Sequence, residues 1–206
     1  MTKYISLDIS TNTGYAIFDN TKLLDYGVFT RKVKEYKADV KNYKDLPEIY
    51  PDNFLETADV ITAECMKLIT NNQIDLVIIE HPENGKQRFS QRLLEWTHLT
   101  LVRALKDAQV PFKYILVSDW RGHVKCYLKY WPEHQTWNKE VRKAKAKAIP
   151  TEKGTKVPKI EGKRVSATNQ KKLSILIANQ HYLINVKDNN IADAINTGRA
   201  YIEMSL

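Results

Sequence analysis

Three carboxylates stand inside apolar runs, where a lone charge is expensive to keep. Asp8 lies between Leu7 and Ile9, Glu80 closes the run Leu76-Val77-Ile78-Ile79, and Asp193 sits in Ile191-Ala192-Asp193-Ala194-Ile195. A buried carboxylate needs a partner or must neutralise itself. Three of them gathered in one place repel unless a cation lies between them, and hard oxygen donors suit Mg²⁺, with Mn²⁺ as a substitute. Two such ions about 4 Å apart can activate a water and stabilise the leaving oxygen of a phosphodiester. Each acid also has a local explanation: Asp8 in an Asx turn into Ser10-Thr11, Glu80 paired with Lys86 or Arg88, Asp193 with Arg199. One sheet carrying all three explains them jointly.

A second feature points to what the phosphodiester belongs to. Between Lys125 and Lys172 there are fourteen Lys or Arg against four Glu, while the rest of the chain carries eighteen basic and twenty acidic residues. This segment therefore accounts for the whole excess behind the net charge of +8. So local a surplus suggests a polyanion, nucleic acid being the commonest, because each Lys or Arg set on a phosphate releases a counterion. Tyr127, Tyr130, Trp131 and Trp137 are interleaved with Lys125, Lys129, Lys139, Arg142, Lys143, Lys145 and Lys147. Basic side chains track phosphates while an aromatic stacks on a base, about 1–3 kcal/mol per stack. Trp137 is the stacking candidate, whereas Tyr127 and Trp131, four apart, suit a core equally well. Lys171 and Lys172 open the next helix, where they could steady the scissile phosphate.

Alternation and turn residues predict the elements that must position these groups. Strands are expected over 4–9, 14–18 and 22–29, joined as hairpins, then over 75–80 and 112–117. Phe54, Ala58, Ile61, Cys65 and Ile69 recur at helical spacing up to Asn71-Asn72, and Phe89, Leu93, Trp96, Thr100, Leu101, Ala104 and Leu105 mark a second helix over 86–109. The polar stretch 31–53 reads as a connection. Asp119 is placed to cap a helix running toward Trp131, and two more helices are expected over 168–182 and 188–204. Three prolines and little periodicity make 132–167 an insertion or mobile loop within one domain, 1–206. Hairpins followed by alternating strands and helices give an α/β mixed central sheet flanked by helices.

The 206 residues, 43% of them apolar, suffice for one domain with a real core. No apolar run approaches a membrane span, and MTKYISLDIS lacks the pattern of a secretory signal, so no membrane partner is expected. Cys65 and Cys126 make neither a disulfide framework nor a zinc site, as in a reducing cytoplasm. The five histidines show no mutual ligand spacing, and His81, beside Glu80, is the first to test.

Three blocks, LDISTNTGYAIFD from Leu7, DLVIIEHPENG from Asp75 and NNIADAINTGRAYIE from Asn189, taken in that order, resemble the RuvC-type Holliday junction resolvases of the ribonuclease H-like nuclease superfamily. The resemblance implies a ribonuclease H-like sheet of three antiparallel strands followed by parallel ones. It implies Asp8, Glu80 and Asp193 as catalytic, metal-binding acids holding two ions, with no small-molecule cofactor. Where the family has a fourth ligand one helical turn before the last acid, this chain has Asn190, with Asp188 as the spare carboxylate or the helix cap. The aromatic that often follows the second acid is missing, and Phe89 is the nearest candidate for a junction wedge. The implied partner is branched DNA, a four-way junction nicked in paired fashion by a homodimer, in a bacterial cytoplasm or in the debranching of phage genomes. Trp96, Leu99 and Val102 on the helix 86–109 are as well suited to the dimer interface as to the monomer core. Three alternatives stand beside this reading. One is a related nuclease of flaps, forks or RNA–DNA hybrids, and another is a non-catalytic DNA-binding module. The last is a sugar-kinase or actin-like ATPase, against which the scattered glycines argue, since they form no nucleotide loop.

Overall fold

The computed structural model describes residues 2–30, 51–82, 88–130, 132–147, 149–151, 154–156 and 167–205. Most of the expected connection 31–53, together with Lys86 and Trp131, falls outside them.

Strands β1 (Lys3–Asp8), β2 (Asn12–Asp19) and β3 (Lys22–Thr30) form an antiparallel meander. After helix α1 (Asp52–Asn72) the chain enters β4 (Leu76–Glu80), parallel to β1. After α2 (Arg88–Asp107) it enters β5 (Phe112–Ile115), parallel to β4. The sheet order is β3-β2-β1-β4-β5, and its three antiparallel strands followed by parallel ones are as expected. Parallel neighbours need a crossover, and α1 and α2 supply the two of them.

The two-residue period of the strands sends alternate side chains to opposite faces. Ile5, Leu7, Val77 and Ile79 meet Ile61, Cys65 and Ile69 of α1 and Leu101 and Leu105 of α2 in one apolar core. Burying each of the larger side chains is worth about 1.5–3 kcal/mol. The other face is covered by α3 (Val117–His123), α5 (Ala167–Tyr182) and α6 (Asn189–Ser205). Its core holds Tyr4, Phe18, Ile78 and Trp120, but also the buried polar residues Ser6, Ser174, Asp193, Asn196 and Thr197.

Two sequence expectations need correction. Asp119 does not cap a helix running to Trp131: α3 starts at Val117, its N-cap position is Leu116 with no side-chain cap, and it stops at His123. Strand β5 accordingly ends at Ile115 and not at Val117. Nor is 132–167 a loop throughout, since Pro132–Ala146 is a helix, α4, followed by the hairpin β6 (Ile149–Thr151) and β7 (Gly154–Lys156). Pro132 is tolerated because it occupies the first helical position, where no N–H is needed, and the Lys, Glu, Arg and Ala that follow are good helix formers.

Candidate active site

Asp8 and Glu80 stand one residue beyond the last paired position of β1 and β4, Leu7 opposite Ile79. By strand alternation both carboxylates project to the α6 side, away from Leu7 and Ile79. Asp193 is brought over them by α6, whose seat on the sheet is unusually close. Ser6 Oγ donates to the Ala194 carbonyl at 2.5 Å. Gly14 lies against the Asn190 backbone, where a Cβ would collide with the carbonyl, and a Cβ on Gly198 would come within 2.7 Å of Ser6 Oγ.

The three acids share one electrostatic field. Burial, followed by the charges of Glu80 and Asp193, pushes the Asp8 carboxyl well above the usual carboxylate range, the Arg121 guanidinium opposes this, and Asp188 adds to it. Burial also raises Asp193, while the Ser174 hydrogen bond, Arg121 and Lys171 pull it back. Glu80 Oε2 accepts from Trp120 Nε1 at 2.8 Å and from Thr197 Oγ1 at 3.5 Å. Asp193 Oδ1 accepts from Ser174 Oγ, and Ser174 is itself held by Asn196 Nδ2, 2.9 Å from both its hydroxyl and its carbonyl oxygen. Held in this way, no three His, Cys, Asp or Glu side chains among the described residues are arranged to ligate a metal ion.

The last helix also shows what its other candidates do. Asp188 Oδ1 accepts from the backbone N–H groups of Asn190 (2.8 Å) and Ile191 (3.3 Å), satisfying free donors at the start of α6. The Asn190 side chain donates through Nδ2 to the Asn12 carbonyl at 2.8 Å and accepts from Asn189 at 2.8 Å. It thereby ties α6 to the turn after Asp8, which Ser10 and Thr13 close through their hydroxyls. Arg199, a sequence-level partner for Asp193, pairs with Glu203 instead, at 2.8 Å.

Sequence reading missed Trp120, Arg121, Ser174, Asn196 and Thr197. Trp120 is fully buried and carries the Arg121 guanidinium 5.1 Å from its ring centre. A cavity of about 160 Å³ opens beside Asp193, walled by Arg121, Cys126, Gln170 and Lys171. Burial pushes the Cys126 thiol up to about 12, so it is no nucleophile at neutral pH. Trp-Arg just past the edge strand that neighbours the one ending in Glu80 was the available signal.

The basic candidates occupy three places. Lys125 is exposed at a left-handed φ of 59° after α3, and Lys129 sits over the rings of Tyr127 (5.1 Å) and Tyr130 (4.9 Å). On α4, Lys139, Arg142 and Lys143 are exposed at three- and four-residue spacing, with Lys143 bonded to Glu140 at 2.7 Å and Lys147 exposed just beyond the helix. Trp137 and Lys145 belong to α4 and Phe89 to α2; their side chains lie outside the description. Lys171 reaches the cavity beside Asp193, and Lys172 is exposed next to it. Of the apolar flank on α2, Trp96 meets Phe54 edge-on at 5.9 Å and Val102 packs on the α1–α2 core, leaving Leu99 70% exposed.

A five-stranded mixed sheet of three antiparallel strands followed by two parallel ones, flanked by helices, is a fold of the ribonuclease H-like class. Within it, the fold is that of the RuvC-type resolvases. RuvC of Thermus thermophilus in complex with a Holliday junction substrate superposes with a TM-score of 0.59 at 12% identity, over 99% of this chain and 96% of that one. Another Thermus thermophilus RuvC structure gives 0.58 at 11% identity, over 99% and 97%. No family model matches the sequence, and no curated protein does. Among the described residues, no helix is long and apolar enough to cross a membrane.

Proposed function

We propose that this chain is a divalent-metal-dependent endonuclease of branched DNA, with the four-way junction as its preferred substrate and a homodimer as its working form. The observation that carries the reading is the gathering of Asp8, Glu80 and Asp193 at one end of the sheet, where burial and the charges of Glu80 and Asp193 raise the Asp8 carboxyl. A buried cluster with a surplus of negative charge has the donor chemistry of a hard-cation site. Asp8, Glu80 and Asp193 would hold Mg²⁺ or Mn²⁺, in two positions, with Asp188 the remaining nearby carboxylate and Asn190 contributing through its grip on the Asn12 turn. The ions, when bound, supply charge stabilisation of the phosphoryl oxygens and a more acidic water.

The chain's own residues do the rest. Trp120 and Thr197 aim Glu80, Ser174 and Asn196 aim Asp193, and Ser6 fixes the height of α6 above β1. Lys125, Lys129 and the exposed cations of α4 lie outside this acid cluster and would track phosphates, with Trp137 and Phe89 as the stacking candidates. Two-fold symmetric substrates are met most simply by two-fold symmetric pairs of sites. The reading also draws support from a fold shared with a protein seen on a Holliday junction.

The test is cleavage of labelled four-way junction, fork, flap, RNA–DNA hybrid and linear duplex with Mg²⁺, Mn²⁺ or EDTA. Asp8→Asn, Glu80→Gln and Asp193→Asn are each expected to lower cutting at least about a thousandfold while junction binding persists. Full activity in any of them rejects the metal assignment. Binding without cutting by the wild type would make it a non-catalytic module, and a preference for forks, flaps or hybrids would move the substrate.

A further inference from the structure

Arg121 enters the site described above only through its charge, yet its setting is specific. Its Nε–H is buried and has no hydrogen-bond partner, and Arg121 makes no ion pair among the described residues, although both Asp8 and Asp193 feel its charge. A guanidinium is always charged, and leaving one of its donors buried and unmet costs free energy that a ligand can recover. The cavity it lines with Gln170, Lys171 and Cys126 has Asp193 on one wall, so it adjoins the acid cluster. About 160 Å³ is the share of roughly five liquid waters, enough for a tetrahedral oxyanion and part of its hydration.

We propose that this cavity is a phosphate pocket that receives a backbone phosphate of the substrate strand beside the acids, with Arg121 as its anchoring residue and Lys171 as the second cation. The inference rests on the nuclease reading for the identity of the substrate but not for the chemistry of the pocket. Three features favour phosphate over a plain counter-ion role. The guanidinium carbon lies over the Trp120 ring, 5.1 Å from its centre, and the indole N–H of Trp120 is bonded to Glu80, so Arg121 is anchored on the residue that holds one of the acids. Planar forks match phosphate oxygens two at a time. And Lys171, on a different helix, brings a second positive charge to the same space. Gln170 is itself held, its Nε2 donating to the Cys126 carbonyl at 3.3 Å, which keeps that wall in place.

The experiment compares wild type, Arg121→Gln, Arg121→Lys and Lys171→Gln in two readouts. In metal-free buffer, inorganic phosphate is expected to raise the melting temperature of the wild type, less that of Lys171→Gln, and not that of Arg121→Gln. With Mg²⁺ and a four-way junction, Arg121→Gln is expected to lower single-turnover cleavage about a hundredfold with junction affinity within about threefold, and Arg121→Lys to recover part of the rate. An equal phosphate response in wild type and Arg121→Gln overturns the pocket, as does wild-type cutting by Arg121→Gln. Equal failure of Arg121→Lys and Arg121→Gln, both with lowered melting temperatures and an undiminished response to phosphate, shows a structural role and overturns it too. If Arg121→Gln does not fold, an unchanged phosphate response in Lys171→Gln overturns the pocket by itself. A wild type that responds to phosphate through Arg121 yet cuts no nucleic acid keeps the pocket and rejects the nuclease reading.

Discussion

The two faces of the central sheet are built from the same strands and do opposite work. Toward α1 and α2, β1 and β4 offer Ile5, Leu7, Val77 and Ile79, all fully buried and all hydrocarbon. Toward α6 the intervening residues are Ser6, Asp8, Ile78 and Glu80, which meet Ala194, Asp193 and Thr197. The first face supplies stability with no chemistry; the second gives up part of its packing to keep acids close together. A one-residue slip of β1 or β4 would exchange the two roles, which makes the apolar face the element that holds register for the acidic one.

The contrast can be broken from either side. The largest effect on stability is expected from Ile79→Ala, which empties a fully buried site: a loss of about 2–5 kcal/mol in denaturant unfolding, with cleavage per folded molecule nearly unchanged. A matching loss of cleavage per folded molecule would show that the two faces are not separable. Asp8→Asn should do the reverse. Because the folded state raises the Asp8 pKa, the metal-free wild type binds protons more tightly folded than unfolded, and its stability falls as pH rises from the ordinary Asp range through the raised value. Asp8→Asn removes that penalty, so in EDTA at neutral pH its melting temperature should exceed the wild type's, while the stabilisation by Mg²⁺ disappears. A lower melting temperature would mean that the Asp8 charge is already compensated. The smallest effect belongs to α4, far from either face. Changing Lys139, Arg142 and Lys147 together to Gln should reduce the slope of log binding against log salt by about 2–3 and leave the melting temperature alone. An unchanged slope would remove α4 from the DNA path.

What could be read without coordinates follows the same division. Strand alternation is a local signal, so the five strands, their hairpin-then-parallel order and the placing of Asp8, Glu80 and Asp193 in apolar runs were open to inspection. Arg121 and Ser174 were not, since the partner of each lies far along the chain and only α3 and α5 folding onto α6 brings them in. Asp188 and Asn190 were ambiguous because a carboxylate five residues and an amide three residues before a helical acid suit both a cap and a ligand set; the hydrogen bonds to the Asn190 and Ile191 amides show the cap. Helix α4 was hidden by proline counting, which treats Pro132 as a breaker although it stands where a helix accepts one.

Gly14, which pairs with Asp8 across the β1–β2 ladder, and Gly198, on α6 itself, each let α6 come down onto the strands where any larger residue would hold it off. The gauge of the gap between the acids is therefore set by hydrogen atoms on two residues that carry no side chain. A single added methyl group at either would act as a shim, prising the jaws of the acid cluster apart while leaving every carboxylate intact.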